Sequence, residues 1–283
     1  MRPSDIELLI GVQQKLTERV MLDVQWTRHS FGNLFATQYL ATPASAYSSY
    51  CATVPVNPQM PGGGNQLCGF QDINPAFFGI TPNNFVTGAS KLGNVADVYT
   101  GLDVNLQTRF AGGGQASGGV SMGRERTDYC SIASIASIGS NTNSSAGAIF
   151  SSGNNITLGP VANSTYPSTL YCSVTPPYQP DWKALATYPL PWWGLNASAT
   201  WQNRPGAPIL ANEAASLSSP TLNRPLSLPT ATVNFIAPGA LYDPRINQID
   251  ARLAKTFKFD RARLQVTAGA YNLAKFERGD GPQ

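Results

Sequence analysis

The sequence predicts an all-β protein, and three observations carry this prediction. Apolar and polar residues alternate with a period of two in eight segments of the 283-residue chain, as in strands with one apolar and one polar face. The chain contains 26 glycines and 22 prolines, whereas charged residues reach only 12%, about half of the usual share. Tight turns join the eight segments in pairs, which predicts four β-hairpins.

The clearest hairpin begins at residue 97. Its first strand reaches a turn at Ala111-Gly112-Gly113-Gly114, and the chain returns from Ala116 to Arg126. The apolar positions of the first strand have even numbers: Val98, Leu102, Val104, Leu106 and Phe110. The polar positions have odd numbers: Asp103, Asn105, Gln107 and Arg109. Since alternate side chains of a strand point to opposite faces, these two sets are expected on opposite sides of a sheet.

Three further hairpins repeat this pattern. They cover residues 6–26, 182–201 and 249–270. Their polar positions include Asp23 in the first and both Asp250 and Arg252 in the last. Lys255 is an exception, because it lies among apolar positions, but it is close to a short turn and can extend toward lipid headgroups.

The connections between hairpins are much longer than the turns within them. They cover about residues 30–92, 127–180 and 203–245, so all the long connections are expected at one end of the sheet. This asymmetry is typical of outer-membrane barrels, which have short periplasmic turns and long outer loops. A soluble β-sandwich distributes its loops over both ends. We therefore expect an antiparallel transmembrane β-barrel segment of about eight strands in four hairpins, with long extracellular loops.

Such a barrel turns its polar face to the lumen and its apolar face to outer-membrane lipid. The residues predicted to face the lumen are Asp23, Asp103, Asn105, Gln107, Arg109, Asp250 and Arg252. The five tryptophans fall near strand ends or turns, where interfacial aromatic residues lie in barrels, although an ordinary sandwich core accounts for them equally well.

The four cysteines predict two disulfides within the long loops. Cys51 and Cys68 belong to one loop, and Cys130 and Cys172 to another. None has the C-x-x-C spacing of zinc or thioredoxin sites, whereas loop disulfides fit an oxidising compartment. Four free thiols are the alternative. Because the loops are expected to have little core of their own, the two bridges are expected to contribute about 3 and about 4 kcal/mol.

Composition and motifs argue against several functions. A net charge of +3 without a basic run argues against nucleic-acid binding, and no apolar stretch has the length of a spanning helix. Residues 119–123, GVSMG, match a nucleophile elbow, but the single histidine, His29, precedes Ser121 and no helical period follows. We interpret this segment as a strand and His29 as a residue at the outer end of a strand. No enzyme activity, catalytic residue, cofactor or metal site is predicted.

Aromatic residues in the loops are candidates for ligand contact. They are Tyr47, Tyr50, Phe70, Phe77, Phe78, Tyr166 and Tyr171. They could contact a small molecule such as a siderophore, a glycan or a peptide, but packing of the loops on each other is the favoured role.

Three segments resemble a known family. Residues 55–79, PVNPQMPGGGNQLCGFQDINPAFFG, together with residues 171–206 and 235–273, resemble the C-terminal barrel of TonB-dependent outer-membrane receptors. The likeness is to the Oar-like subgroup, which carries a carboxypeptidase-regulatory-like domain, and its most specific piece is DPRINQID at 243–250. The resemblance implies a 22-stranded barrel with a separate plug domain, which imports a substrate with energy passed from the inner membrane through TonB.

We accordingly expect residues 1–275 to be part of a barrel in the Gram-negative outer membrane and residues 276–283 to be a polar tail. No signal peptide, regulatory-like domain, TonB box or plug is recognised in the sequence, so plug and TonB are expected partners only through a full-length receptor. The chain is not expected to function alone. A secreted, soluble all-β binding or adhesion module is the alternative, with carbohydrate as one ligand and its apolar face packed on a second sheet. Closure as a small eight-stranded barrel is a third possibility.

Overall fold

The computed structural model describes most of the chain, and the predicted tail at 276–283 lies outside the described residues. The described ranges are 2–58, 60–81, 83–133, 135, 138–139, 170–209, 212–215, 218–219, 222–226 and 231–273. Within them the protein is built almost entirely of antiparallel strands. The predicted all-β, antiparallel architecture is therefore confirmed.

Eight strands form the main sheet. In chain order they are β1 (Ser4–Thr17), β2 (Val20–Gly32), β3 (Ala96–Arg109), β4 (Gln115–Asp128), β5 (Asp181–Pro189), β6 (Leu195–Arg204), β7 (Ile246–Lys258) and β8 (Arg263–Ala270). Each strand pairs with the next one along the chain, so the order in the sheet equals the order in the sequence. A short strand, Ser173–Val174, also pairs with the last residues of β4.

The turn between β3 and β4 illustrates how the short turns form. Gly113 has a φ of 83°, a left-handed conformation that glycine adopts without a steric penalty. The amide of Phe110 donates to the carbonyl of Gly114 at 2.7 Å, which closes the turn. The glycine-rich sequence at this position therefore explains the abrupt reversal of the chain.

The main sheet is open. Among the described residues, β1 pairs only with β2 and β8 only with β7, so the outer edge of each end strand has no partner strand. Closure as a small eight-stranded barrel, the third possibility above, is therefore wrong for these ranges. Alternation fixes the faces of a sheet but not its closure, which also requires a matching shear between its end strands.

The register brings the apolar positions of the eight strands onto one side, which we call the apolar face. One row across it contains Val24, Val104, Val120 and Trp182 in consecutive strands. Toward the long connections, the last row that is apolar in three consecutive strands contains Trp26, Leu102 and Met122, and only scattered apolar residues such as Leu8 and Val98 lie beyond it. Among the described residues no second sheet packs on this face, and side chains such as Leu106 and Trp182, each 44% exposed, remain accessible.

The long connections fold together, and we call the described residues of 33–95, 129–180 and 205–245 the loop assembly. Its short elements form four small antiparallel sheets and a few helical turns. The strands are Phe35–Tyr39 with Asn84–Gly88 and Ile138–Gly139, Tyr47–Thr53 with Gln66–Ile73, Asn212–Ala215 with Ala231–Asn234, and Ser218–Ser219 with Arg224–Pro225. The helical turns are Ala44–Ala46, Pro75–Phe77, Ala89–Lys91 and the α-helical Cys130–Ala133.

The hydrophobic core lies in the loop assembly. One buried cluster contains Leu34, Ala36, Ala89, Tyr129, Ile132, Ala133 and Cys172. A second contains Tyr50, Ala52, Val54, Phe70 and Phe235. The expectation that the loops have little core of their own is wrong, because residues from all three long connections pack against each other.

Both loop disulfides are formed with the pairing expected from the sequence. The bond between Cys51 and Cys68 crosses the hairpin Tyr47–Thr53 with Gln66–Ile73. The bond between Cys130 and Cys172 joins the helical turn after β4 to the residue before Ser173–Val174. No described cysteine is free. The second bond therefore closes the connection 129–180 next to the sheet.

Candidate functional site

The candidate site is the polar face of the main sheet together with the loop assembly at one of its ends. The register brings the seven residues predicted to face a lumen onto this single face. Asp23 pairs with Asn105, and Asp103 precedes Asn105 by two residues on the same face of β3. Asp250 and Arg252 reach the same face through β4, β5 and β6, in the rows of Gln107 and Arg109 respectively.

These side chains are available to a ligand. Asn105, Gln107, Arg109 and Arg252 are exposed, and Asp23, Asp103 and Asp250 are half-buried. Asp250 accepts hydrogen bonds from Gln248 Nε2 and, at 2.7 Å, from the amide of Asn272. The polar face is therefore a continuous hydrophilic surface in which Asp250 also fastens the end of β8.

Charges on the polar face are separated along the strands. The basic residues close to the short turns are Lys15, Arg109, Arg252, Lys258 and Arg263, whereas Lys183 and Arg204 lie toward the loop assembly. The acidic residues lie at the end that carries the loop assembly: Asp5, Glu7, Asp97, Glu125 and Asp181. Acidic groups therefore predominate at the loop end of this face and basic groups predominate near the short turns.

A cavity of about 420 Å³ marks the basic end of the polar face. Lys15, Arg19 and Arg109 line it, together with the polar Gln107 and Gln115. Its only acidic lining residue is Glu18 in the adjoining turn. An anionic group fits this cavity better than a cation, because positive side chains outnumber negative ones.

Asp97 lies at the opposite, acidic end, beyond the last apolar row and beneath the loop assembly. It is only 1% exposed, and both of its carboxyl oxygens lack a hydrogen-bond partner among the described residues. Burial and the neighbouring carboxylate of Glu125 raise the pKa of Asp97 to about 7. This carboxyl group therefore changes its charge near neutral pH.

His29 is the centre of a second polar cluster at the acidic end, on the loop side of the row of Trp26, Leu102 and Met122. Its Nδ1 is 2.9 Å from Asp5 Oδ2 in a hydrogen bond, and its Nε2 is 3.7 Å from Glu7 Oε1. The hydrogen bond to Asp5 raises the pKa of the imidazole. Phe31 stacks on the ring and Tyr99 meets it edge-on. His29 thus joins the ends of β1, β2 and β3.

The GVSMG segment lies entirely within β4 and not at a strand-to-helix turn. Ser121 pairs with Asp103, whereas the ring nitrogens of His29 contact Asp5 and Glu7. A Cβ at Gly123 would collide with the hydroxyl of Tyr99, and one at Gly119 with Asn105. The glycines therefore allow side chains of β3 to lie flat on β4, which agrees with the interpretation of this segment as a strand.

Most aromatic residues proposed as ligand contacts are packed inside the loop assembly. Tyr47, Tyr50 and Phe70 are buried, and burial raises the pKa of Tyr50 to about 12. Tyr171 is half-buried and donates its hydroxyl hydrogen bond to the carbonyl of Phe235 at 3.4 Å. Phe77 is half-buried, Phe78 is exposed, and Tyr166 lies outside the described residues. Packing is thus the observed role of the buried members.

Two arginines connect parts of the site, and the sequence analysis did not predict their roles. Arg224 forms an ion pair with the buried Asp72 and donates to the carbonyl of Ile73 at 3.1 Å, which joins two of the long connections. No local sequence signal identifies this contact, since the partners are 152 residues apart.

Arg245 joins the loop ends of three strands. Its Nε donates to Asn203 Oδ1 at 2.7 Å, and its Nη2 donates to the carbonyls of Asn203 and Pro180. It therefore connects the chain before β5, the end of β6 and the start of β7. The signal that could have found it is the DPRINQID segment, in which Arg245 directly precedes a strand.

Comparisons with known proteins do not identify the chain, since neither a protein-family model nor a curated protein matches it. In the part of the chain that the structure describes, no group of three or more His, Cys, Asp or Glu residues is placed to hold a metal ion. The helical turns within these ranges are all too short to cross a bilayer. The bare apolar face and the charged polar face are thus the features from which function is argued.

Proposed function

We propose that this chain is part of an outer-membrane β-barrel of the TonB-dependent receptor class, and that its main sheet crosses the lipid bilayer. The observation that carries the proposal is a wide apolar face that is left largely uncovered. Apart from Tyr178, which contacts Arg124 at the loop end, no described residue outside the sheet is seen against the apolar face, although it presents rows of Val, Leu and Trp side chains. Lipid is the natural cover for a surface of this size and composition.

Strand length supports this proposal. A tilted strand needs about 9–11 residues to cross a bilayer. β1, β3 and β4 each have 14 residues, β2 and β7 have 13, and β6 has 10. β5 and β8 are shorter, with 9 and 8 residues. The sheet is therefore long enough to span the hydrocarbon layer.

The positions of the aromatic residues support the proposed crossing of the bilayer. Trp192 and Trp193 lie in the short turn between β5 and β6 and are strongly exposed. Near the other end, Trp182 lies on the apolar face as the second residue of β5, whereas Trp26 lies on the same face in the middle of β2. Lys255, the exception in the apolar pattern, places its ammonium group 4.8 Å from the centre of the Phe257 ring. Aromatic and snorkelling side chains are typical of bilayer interfaces.

The receptor part of the proposal rests on the resemblance and on the loops. All three long connections are on one side of the sheet and build a disulfide-bonded assembly, which fits an oxidising, extracellular location. In this arrangement the seven polar-face residues line the lumen. The substrate is a small molecule, a glycan or a peptide, and plug and TonB act through the full-length receptor.

The bare edges explain why the chain is not expected to act alone. The outer edges of β1 and β8 have backbone groups with no partner strand among the described residues. In hydrocarbon each unsatisfied group costs several kcal/mol, so membrane sheets close into barrels. Further strands of a complete barrel would pair with both edges.

Fractionation tests the proposal against the soluble alternative. The chain is expressed with an export signal and the cell envelope is washed with alkaline carbonate. We expect the chain to remain with the membranes and to dissolve only in detergent. Recovery as a monomer in the soluble fraction without detergent would overturn the proposal and support a secreted binding module.

A further inference from the structure

The few charges on the apolar face are unevenly placed. Across its eight strands this face carries five charged residues, namely Arg28, Arg124, Arg126, Asp128 and Lys255. Lys255 lies toward the short turns. The other four lie in β2 and β4 at the end nearest the loop assembly. Three arginines therefore gather at one border of an otherwise apolar surface, and we call them the arginine cluster.

Strand register defines the geometry of this cluster. Arg28 pairs with Thr100, and Thr100 pairs with Arg124, so the two arginines lie in one row on either side of β3. With neighbouring strands about 4.8 Å apart, their backbones are about 10 Å apart. Arg126 is two residues beyond Arg124, on the same face. This spacing allows three long side chains to approach one anionic group from different sides.

The cluster directly borders the apolar rows. The next row toward the short turns consists of Trp26, Leu102 and Met122, and the following row of Val24, Val104 and Val120. A molecule held by the arginines therefore has an apolar surface directly beside it on the same face of the sheet. This juxtaposition matches the two parts of an anionic lipid, a charged headgroup and its acyl chains.

The guanidinium groups are only partly engaged within the protein. Arg28 is exposed, and no hydrogen bond or ion pair of its side chain is seen among the described residues. Arg124 lies over the ring of Tyr178, 4.4 Å from its centre, a contact that uses the face of the guanidinium and leaves its N–H edge open. Arg126 is 3.7 Å from Asp128, which also accepts a hydrogen bond from Ser173. The cluster thus keeps a net positive charge.

We propose that Arg28, Arg124 and Arg126 bind the phosphate headgroup of a lipid in the leaflet on the loop side, while its acyl chains lie on the adjacent apolar rows. The proposal rests on the proposed membrane location and adds a partner of defined chemistry. Guanidinium groups bind phosphate through paired N–H donors, and basic residues at the border of a transmembrane surface recognise anionic headgroups. A free phosphate ion would use the arginines but not the apolar rows.

The test measures binding of lipid A, a phosphorylated and acylated disaccharide, to the full chain in dodecyl maltoside micelles. Native mass spectrometry gives the bound fraction, with phosphatidylcholine as the uncharged comparison. One variant replaces the cluster, R28Q/R124Q/R126Q. A matched control, K258Q/R261Q/R263Q, removes three exposed positive charges at the other end of the sheet.

Each arginine near an anionic headgroup contributes about fivefold to binding. We therefore expect about hundredfold weaker lipid A binding by the cluster variant and less than a twofold change in the control. R28Q alone should weaken binding about fivefold, and because Arg28 has no described partner, its replacement should not disturb folding. Three outcomes would each overturn the proposal. Lipid A could bind no better than phosphatidylcholine, the cluster and control variants could bind lipid A equally well, or 10 mM inorganic phosphate could displace lipid A completely.

Insertion into pure phosphatidylcholine vesicles separates this inference from the proposed function. Both the unaltered chain and the cluster variant should insert, since the arginines lie at the border of the apolar face. If the chain inserts but the cluster variant binds lipid A normally, only the arginine site is wrong. If the chain fails to insert, the membrane location and the inference drawn from it both fail.

Discussion

The main sheet and the loop assembly are stabilised in opposite ways. The loop assembly contains two buried clusters, two disulfides and an ion pair, whereas Ala254 is the only buried hydrophobic residue of the eight sheet strands among those described. The sheet is instead held by its backbone hydrogen-bond ladder and leaves its apolar face bare. This difference is what the proposed membrane location predicts, with the loops in water and the sheet in lipid.

This contrast has a physical basis in the hydrophobic effect. Each square ångström of apolar surface removed from water contributes about 25 cal/mol, so a sheet in water normally buries one face against protein. In hydrocarbon this cost of exposure disappears, while unpaired backbone groups become more costly. Treatments that act on the protein core should therefore affect the loop assembly, and treatments that act on lipid contact should affect the sheet.

Loss of the disulfide between Cys130 and Cys172 is expected to have the largest effect. C130S/C172S should lower the free energy of unfolding of the loop assembly by about 4 kcal/mol, because this bond closes the longer loop. C51S/C68S should cost about 3 kcal/mol. Urea unfolding followed by limited proteolysis of the loops measures both. A larger loss for the shorter loop would contradict this ranking.

Removal of Arg224 should also weaken the loop assembly. R224M removes the ion pair between Arg224 and the buried carboxylate of Asp72, which we expect to cost about 3 kcal/mol. The double variant R224M/D72L should recover much of this loss, since it also removes the buried carboxylate. Unchanged proteolysis rates in R224M would show that this ion pair does not hold the connections together.

A charge on the apolar face should affect the sheet and leave the loop assembly unchanged. L106R places a cation on the apolar face and should destabilise the inserted sheet by about 2 to 4 kcal/mol. Q107R, its neighbour on the polar face, is the matched control and should cost less than about 1 kcal/mol. The measurement is urea unfolding in phosphatidylcholine vesicles. Equal costs for both variants would mean that the two faces meet the same solvent.

Asp97 gives a smaller, pH-dependent effect. Its raised pKa means that the folded protein binds the proton more tightly than the unfolded chain, so stability falls as the pH rises from about 4 toward 7. D97N should remove this fall and stabilise the protein by about 1 to 2 kcal/mol at pH 8, with little difference at pH 4. Thermal unfolding at both pH values measures the difference in stability between D97N and the unaltered protein. If this difference is no larger at pH 8 than at pH 4, the prediction is contradicted.

The sequence predicted the hairpins and the polar face because both follow from alternation. A strand has only two faces, so residues such as Asn105 and Gln107 share one wherever their neighbours pair. The disulfide pairing could also be predicted from the sequence, because both cysteines of each pair lie within one connection. Whether the sheet closes could not be predicted, since the same alternation occurs in open and closed sheets.

The rest depends on contacts between distant residues. The ion pair of Arg224 with Asp72 joins two connections that have no shared periodicity. The core around Tyr50 and Phe70 likewise requires the connections to fold on each other. The arginine cluster could not be predicted from the sequence for a related reason, because Arg28 and Arg124 become neighbours only through the register of β3.

The most direct test of the membrane-facing sheet is the accessibility of spin labels along β3 in reconstituted vesicles. Labels are placed singly at Val104 and Leu106 on the apolar face and at Asn105 and Gln107 on the polar face. We expect collisions with oxygen, which concentrates in lipid, to be frequent at 104 and 106, and collisions with a water-soluble nickel complex to be frequent at 105 and 107. Labels at 104 and 106 that reach neither reagent, as in a dry protein interior, would contradict the account.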